Sequence, residues 1–462
     1  MKFANLVPLL FLSLTMPILA DAQKPTEPAG AESGAALQSS FDAALAAVLK
    51  AQSDDLYPVA DAVLNAGGTE TDFYRLMKAA SDAGQPVAQR WNAQLMLLSA
   101  QEPGMNPAET EIARQSRELM QKAAESGYVP AQVEMARYAG SGIGAPANET
   151  EGMRYLMSAC KAGSSRARAA YLLLSGRLDA GRFDAPEIAS ELRKNNYHLE
   201  DIIASLPVTK ADAEKWLRKA AEHGSATAPY VLAQNENASA EAFVAGMKLA
   251  AERHLPEGLA TYGQILLNPL REFKVEKNEP AGIRHLQLAF MLGYSPVTAT
   301  LATLMMNRPE KYSAARVFDL YNVGTVMQDA RASVAYAYCL ACGRGCDALP
   351  DKGVRMLEEL ADAGSAYSYV ALADLYFNGA GVPADLSKAV NYLGDAAASG
   401  VPNTYSIMAA LTHLGNASAK PDARRAELYL RMAEERGETE ARRVFDALVK
   451  EKQWHFLLPV KQ

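Results

Sequence analysis

Apolar and small residues recur along most of this chain with the spacing of paired helices. The clearest stretch is residues 353–385. Its first half carries large or small apolar residues at spacings of three, three and one, which places a single apolar stripe along one side of a helix. The members of that stripe are Val354, Leu357, Leu360 and Ala361.

The second half of the same stretch predicts a second helix and a tight loop. Gly364 ends the first helix, because a left-handed residue after the last turn is favourable only for glycine. The second helix runs to about Tyr376, and the glycine-rich loop 379–382 follows it. Asp385 can then cap the next helix. A helix pair of this size cannot bury its own apolar faces, so it needs a neighbour on each side, as in a solenoid.

Ten repeats of this kind can be aligned on the residue that ends each first helix. These residues are Gly84, Gly127, Gly163, Gly224, His254, Gly293, Gly324, Gly364, Gly400 and Gly437. Seven residues earlier, every repeat has a large apolar residue, and four residues earlier, most have alanine. The pattern predicts an all-α solenoid of about ten helix pairs. It also predicts that four leucines are buried against the second helix of their own repeats: Leu217, Leu357, Leu393 and Leu430.

The domain organisation follows from breaks in this pattern. We predict a signal peptide (1–22), a flexible linker (23–40), N-terminal capping helices (41–72), repeats 1–3 (73–177), an insertion or degenerate repeat (178–212), repeats 4–10 (213–452) and a C-terminal tail (453–462). The linker is assigned from its Pro, Gly, Ala and Ser content. We expect Trp454 and the apolar residues after it to fold back on the last helix pair, and the alternative is a docking peptide for a partner.

The N-terminal residues predict export. Residues 6–19 form an apolar run interrupted by Pro8 and Pro17, and small residues at 20–22 suit cleavage by a signal peptidase. The alternative is a membrane anchor, but the run is short and broken by proline. The mature chain is therefore expected in the periplasm or outside the cell, without a membrane span.

The repeat pattern resembles the Sel-one-like (Sel1-like) repeat, a subfamily of the tetratricopeptide-like helical repeats. The best matches are residues 213–233, with the sequence AEKWLRKAAEHGSATAPYVLA, and residues 372–400. The resemblance covers roughly residues 73–449. It implies a right-handed α/α superhelix and an adaptor that assembles other proteins. The family has no shared catalytic residues to transfer.

Charge and motifs give little support to an enzyme. The net charge of −7 has no basic block, which argues against a nucleic-acid partner. The six histidines form no spaced metal pair, and we expect no cofactor and no metal. Ser158 and Lys161 match S-x-x-K, but the S-D-N and K-T-G motifs that accompany it are missing. We therefore predict no catalytic residue.

Three of the four cysteines lie close together. Cys339, Cys342 and Cys346 follow the spacing C-x2-C-x3-C. In an exported protein we expect one disulfide, Cys346 with Cys339 or Cys342, and the alternatives are free thiols or a metal site that lacks a fourth ligand. Cys160 occupies an alanine-like core position and is expected to stay unpaired.

A row of cations is the candidate binding site. Nine residues before the repeat-ending position, five repeats have a basic residue: Arg75, Arg154, Lys215, Arg284 and Arg355. Each is turned about 100° from the apolar stripe, so it can reach solvent. One interpretation is a solvated helix face, and the other is a surface that binds an acidic peptide or an anionic glycan.

The function that these observations favour is a non-catalytic scaffold or adaptor. It would bind a protein or peptide through the concave groove of the superhelix, in the cell envelope. The alternative is an envelope enzyme or a binder of cell-wall fragments. Its support is limited to the S-x-x-K match and the export signal.

Overall fold

The computed structural model describes residues 31–99, 110–174, 210–235, 238–451 and 454. The predicted signal peptide lies outside the described residues, as does nearly all of the predicted insertion at 178–212. Within the described residues the chain forms helices and no strand. No helix in this part of the chain is both long and apolar enough to cross a membrane.

The described α-helices follow one another in pairs joined by short turns. They are α1 (Ala31–Lys50), α2 (Tyr57–Asn65), α3 (Glu70–Asp82), α4 (Pro86–Ser99), α5 (Glu111–Glu125), α6 (Val129–Ser141), α7 (Glu149–Lys161), α8 (Ser165–Leu174), α9 (Lys210–Glu222), α10 (Thr227–Ala233), α11 (Ala240–Glu252), α12 (Pro256–Leu267), α13 (Glu279–Met291), α14 (Thr298–Met306), α15 (Ala314–Val326), α16 (Ala330–Cys342), α17 (Pro350–Asp362), α18 (Ala366–Asn378), α19 (Leu386–Ala398), α20 (Thr404–Leu414), α21 (Ala423–Glu435) and α22 (Ala441–Glu451). The predicted all-α helical-repeat solenoid is confirmed.

The chain divides into two compact units. The first contains the described residues up to Val297, together with Val326–Gln328. The second contains Thr298–Thr325 and the described residues from Asp329 onward.

Side-chain caps fix where many first helices begin. At the start of α19, the Asp385 carboxylate accepts a hydrogen bond from the backbone N–H of Lys388 at 3.0 Å, as its sequence position predicted. This bond satisfies a donor that the helix itself leaves open. The same contact, from the side chain of the residue before the helix to the N–H three residues on, is made by Thr69, Thr110, Asn148, Ser239, Asn278 and Asp422.

The predicted apolar stripe forms the core. At the position seven residues before the repeat end, nine of the ten aligned residues are buried, among them Leu357, Leu393 and Leu430. Leu217 is the exception, because it is only half-buried on α9. The prediction of burial was wrong there. The chain that precedes α9 lies outside the described residues.

The small residue four positions before the repeat end allows close helix packing, as the alanine pattern indicated. A Cβ on Gly258 of α12 would lie 2.6 Å from the Cβ of Ala250, which occupies this position on α11. Such a contact is much shorter than van der Waals separation. The backbones of the two helices therefore approach closely at this point.

One repeat boundary differs from the prediction. Gly324 lies inside α15, and Gln328 is the left-handed residue that ends this first helix, at φ +64°. With Gln328 as the end point, Gly324 occupies the small position four residues earlier. A Cβ at Gly324 would lie 2.7 Å from the Cβ of Ala332, so this position requires a small residue. The glycine is present because the helices pack closely, and it does not form a turn.

The two ends of the described chain bear on two further predictions. Helix α1 begins at Ala31, so the last ten residues of the predicted linker (23–40) are helical. Trp454 is buried in the core that α18–α22 share, and its carbonyl oxygen accepts a hydrogen bond from Asn378 Nδ2 at 2.9 Å. The expected fold-back of the tail is confirmed at Trp454. This residue contacts α18 as well as the last helix pair, α21 and α22. Residues 455–462 lie outside the described residues.

Candidate functional site

The five predicted cations have different surroundings. Arg154, Lys215 and Arg355 are exposed, whereas Arg75 and Arg284 are half-buried. Arg75 pairs with Asp72 on its own helix. Among the described residues, no carboxylate lies within ion-pair distance of the three exposed cations. The Arg154 guanidinium lies 5.3 Å from the centre of the Tyr155 ring. Arg355 Nε donates a hydrogen bond to the carbonyl of Asp351 at 3.1 Å. These three therefore remain candidates for contact with a partner.

Arg284 does not fit the prediction of a solvent-reaching cation. Its guanidinium lies 2.6 Å from the Asp61 carboxylate and donates to Asn65 Oδ1 at 2.6 Å. Both partners belong to α2, more than two hundred residues earlier in the chain. One cation of the predicted row is thus already paired with an acidic side chain of this protein itself.

The contact of Arg284 belongs to a longer set made by residues 52–74, which we call the N-terminal strap. At its start, the Tyr128 hydroxyl donates to the carbonyl of Ser53 at 2.6 Å, and the backbone N–H of Val129 donates to Gln52 Oε1 at 2.9 Å. Burial raises the pKa of Tyr128 to about 12, so the phenol stays protonated and able to donate. These bonds hold the strap against the start of α6.

Two aspartates of the strap meet basic side chains from distant parts of the chain. Asp54 pairs with Arg166 of α8 at 3.1 Å, and Asp55 lies 2.8 Å from Nδ1 of His254. Partial withdrawal of Asp54 from water would raise its pKa, but the guanidinium groups of Arg90 and Arg166 hold that pKa below its ordinary value. The charges therefore favour the ionised aspartate.

The remaining strap contacts are aromatic and polar. The Tyr57 ring stacks on the His254 imidazole with centroids 3.7 Å apart and planes 3° from parallel. The Tyr74 hydroxyl on α3 donates to the carbonyl of Phe290 on α13 at 3.0 Å. Burial raises the pKa of Tyr74. The strap thus joins α6, α8 and α13 within the first unit.

A buried ion cluster lies beside the strap. Glu134 of α6 is 4% exposed and pairs with Arg137 at 3.0 Å and Arg166 at 3.8 Å. Its burial would raise its pKa, but Arg137, Arg166 and Arg90 lower it below the ordinary value. Ionised Glu134 is therefore the partner that these arginines require.

Three of the cysteines, Cys339, Cys342 and Cys346, lie at the end of α16 and in the loop after it. Cys339 is buried, and the Sγ atoms of Cys342 and Cys346 approach its carbonyl oxygen to 3.9 and 3.5 Å. All four cysteines of the chain are thiols in this structure. Burial raises the pKa of Cys339 and Cys342, and that of Cys346 to about 11. The predicted disulfide stays a prediction.

The candidate S-x-x-K motif lies on a helix surface. Ser158 and Lys161 are both exposed on α7. Among the described residues, no group of three His, Cys, Asp or Glu side chains is arranged to hold a metal ion.

Seven segments match the Sel1 repeat: 113–128, 129–164, 210–225, 257–294, 329–365, 366–401 and 408–438. The chain is a Sel1-repeat protein, and proteins of this class are generally protein-interaction scaffolds.

Several solved structures are similar to this chain. One is a protective antigen present in uropathogenic Escherichia coli strains, with 17% identity, coverage of 91% of this chain and 89% of that chain, and a TM-score of 0.41. Another is a Sel1 repeat protein from Oxalobacter formigenes, with 18% identity, coverage of 53% and 94%, and a TM-score of 0.38. A Sel1 repeat protein from Klebsiella pneumoniae has 16% identity, coverage of 43% and 96%, and a TM-score of 0.33. No curated protein sequence matches the chain.

Proposed function

We propose that this protein is a non-catalytic scaffold of the cell envelope that binds an acidic segment of another protein through cations on its first helices. The observation that carries the proposal is the exposure of Arg154, Lys215 and Arg355 at equivalent repeat positions. In the described part of the chain none of them has a carboxylate partner. Arg154 and Lys215 belong to the first unit and Arg355 to the second, and in each unit an exposed cation without a carboxylate partner can pair with an acidic side chain of another protein.

The N-terminal strap supports the proposal, because its aspartates contact basic side chains of the repeats. Asp54, Asp55 and Asp61 belong to one short segment, and each meets a basic side chain from a different part of the repeat array. The repeats of the first unit therefore hold an acidic segment with basic side chains that are far apart in sequence. A partner segment of similar chemistry would use the cations that the strap leaves exposed.

Capture from envelope extract tests this proposal. The variant Arg154→Glu/Lys215→Glu/Arg355→Glu should lose the partner that the wild type retains. Arg431→Glu, which reverses an exposed cation on α21, is the matched control and should capture normally. Capture by the wild type should also weaken as salt rises, because exposed charges are screened. A triple variant that captures the same protein equally well would contradict the proposal.

Export is the second part of the proposal, and it rests on the apolar run at residues 6–19. Cell fractionation followed by mass spectrometry should recover the mature chain outside the cytoplasm, with an N-terminal peptide that begins at Gln23. Recovery of an N-terminal peptide with residues 1–22 intact in the cytoplasmic fraction would contradict it.

The alternative of an envelope enzyme is not favoured. Its sequence support was Ser158 with Lys161, and both lie on the exposed surface of α7. A serine nucleophile needs a base within hydrogen-bond reach and donors for the oxyanion.

A further inference from the structure

A small cavity in the second unit has the features of a ligand site. It measures about 100 Å³ and is lined by Met306, Pro309, Tyr312, Ala314, Val317, Tyr321, Cys339 and Arg344. Val317, Tyr321 and Cys339 are buried and form its floor, whereas the other lining residues are half-buried or exposed and form its rim. The cavity is therefore open to solvent on one side and mostly apolar inside.

Two polar groups in this cavity lack a partner among the described residues. Tyr321 is 3% exposed, and no donor or acceptor lies within hydrogen-bond distance of its hydroxyl. Tyr321 lines the open cavity, so its hydroxyl is available for a hydrogen bond to a ligand there. Arg344, at the rim, has no carboxylate within ion-pair distance in the described part of the chain.

Arg344 and Tyr321 line the same cavity. Burial raises the pKa of Tyr321, and the positive charge of Arg344 offsets part of that rise, as it does for Cys339. Arg344 is positioned by the loop after α16, where Gly343 and Gly345 take left-handed conformations. A Cβ on Gly345 would lie 2.3 Å from the carbonyl oxygen of Ala314, so the loop is packed tightly against the start of α15.

We infer that this cavity binds a short branched aliphatic group that carries a carboxylate. The apolar walls suit a branched chain of about four carbons, since an apolar cavity of about 150 Å³ holds a benzene molecule. Arg344 suits the carboxylate, because a guanidinium binds it with two parallel hydrogen bonds. Tyr321 would donate a third hydrogen bond. Such a ligand is either a free short-chain acid or the C-terminal leucine or valine of a peptide, and the peptide source rests on the proposed scaffold function.

The test uses the full chain and 3-methylbutanoate as the probe, with binding followed by ligand-observed NMR. Arg344→Gln should weaken binding at least tenfold, and Tyr321→Phe by about threefold. The neutral amide of the same acid should bind at least tenfold more weakly than the acid. Arg431→Gln, an exposed arginine on α21, is the control and should leave the affinity unchanged. Far-ultraviolet circular dichroism of each variant checks that it is folded, and Tyr321→Phe retains the ring that packs in the floor.

Two peptides separate the sources of the ligand. A peptide that ends in leucine with a free carboxylate should compete with 3-methylbutanoate, and the same peptide with a C-terminal amide should not. If the free acid binds and neither peptide competes, the site stands and its ligand is a free acid. Equal binding of acid and amide, or unchanged affinity in folded Arg344→Gln, would overturn the inference. Arg344 is not among the three exposed cations, so this result is independent of partner capture by them.

Discussion

Arg284 on α13 pairs with Asp61 on α2 at 2.6 Å, across 223 residues of sequence. This contact is part of the strap that joins the N-terminal helices to later repeats of the first unit. A repeat array in which each repeat contacts only its neighbours has no such long-range bond. The first unit is therefore expected to unfold more cooperatively than a simple stack of repeats.

A double-mutant cycle on Asp61 and Arg284 measures this closure. Both side chains are partly exposed, so we expect a coupling free energy of about 1 kcal/mol or less at low salt, and less at high salt. Urea unfolding of the single and double alanine variants gives the value. Arg284→Glu should be less stable than Arg284→Ala, because it places two carboxylates together. A coupling of zero at low salt would mean that the pair contributes nothing to closure.

Lowering the pH should decrease the stability of the first unit, because it protonates Glu134. The pKa of this carboxyl is lower in the folded chain than its ordinary value of 4.5. A lowered folded-state pKa contributes stability above the unfolded-state pKa, and that contribution is lost as the pH falls through the folded-state value. Glu134→Gln should cost about 3 kcal/mol at pH 7, because it removes a buried carboxylate that pairs with Arg137 and leaves Arg166 with Asp54 alone. Urea unfolding at several pH values should show this difference shrink below about pH 4.5. A difference that is constant with pH would contradict the assignment.

The buried stripe predicts graded losses of stability. Leu357 is fully buried on α17, so Leu357→Ala should lower the free energy of unfolding by about 2–5 kcal/mol. Leu217→Ala, at the equivalent position on α9, should cost clearly less because Leu217 is only half-buried. Chemical denaturation of the two variants in parallel makes the comparison. Equal losses would indicate that Leu217 is as well packed as Leu357.

Alanine substitutions at two glycines distinguish the cost of a left-handed backbone from the added cost of a steric clash. Gly364 has φ +93° with open space around a Cβ, whereas Gly381 has φ +77° and a Cβ would lie 2.1 Å from the carbonyl oxygen of Ala341. Gly364→Ala should therefore cost about 1–2 kcal/mol from the left-handed conformation alone. Gly381→Ala should cost more, since the backbone must also move. Thermal unfolding of both variants tests the order, and a smaller loss at Gly381 would show that its loop shifts freely.

The disulfide prediction has a direct chemical test. In exported protein we expect Cys346 to be bonded to Cys339 or Cys342, and Cys160 to remain a thiol. Peptide mapping without reduction identifies the bonded pair. In reduced protein, alkylation near pH 8 should be slow at all of them, because burial raises the pKa of each thiol and the thiolate is the nucleophile. A bond from Cys160 to any of the other three would contradict the prediction.

Local patterns in the sequence were sufficient to predict the repeats. The spacing of apolar and small residues predicts each helix pair because neighbouring repeats bury the same face. Gly324 was misassigned because a glycine can serve either a turn or a close helix contact, and the sequence alone does not distinguish them. Gln328 takes the left-handed conformation without being glycine, so the usual signal for the end of a helix is missing.

The strap could not be predicted in the same way. Asp61 and Arg284 are ordinary surface residues in a helical pattern, and nothing local links them. Their contact depends on the sum of the small rotations between successive helices across the first unit. The cavity beside Arg344 is similar, because its lining comes from α14, α15, α16 and the loops that follow α14 and α16.

Zero-length carbodiimide cross-linking of the captured complex tests the proposed binding surface most directly. This reagent joins an amine to a carboxylate that is already in contact with it, and Lys215 supplies the amine among the three exposed cations. Mass spectrometry should find Lys215 linked to an aspartate or glutamate of the captured protein, and Arg154→Lys and Arg355→Lys should add links at those two positions. Links confined to other lysines of the scaffold, with none at positions 154, 215 or 355, would contradict the account.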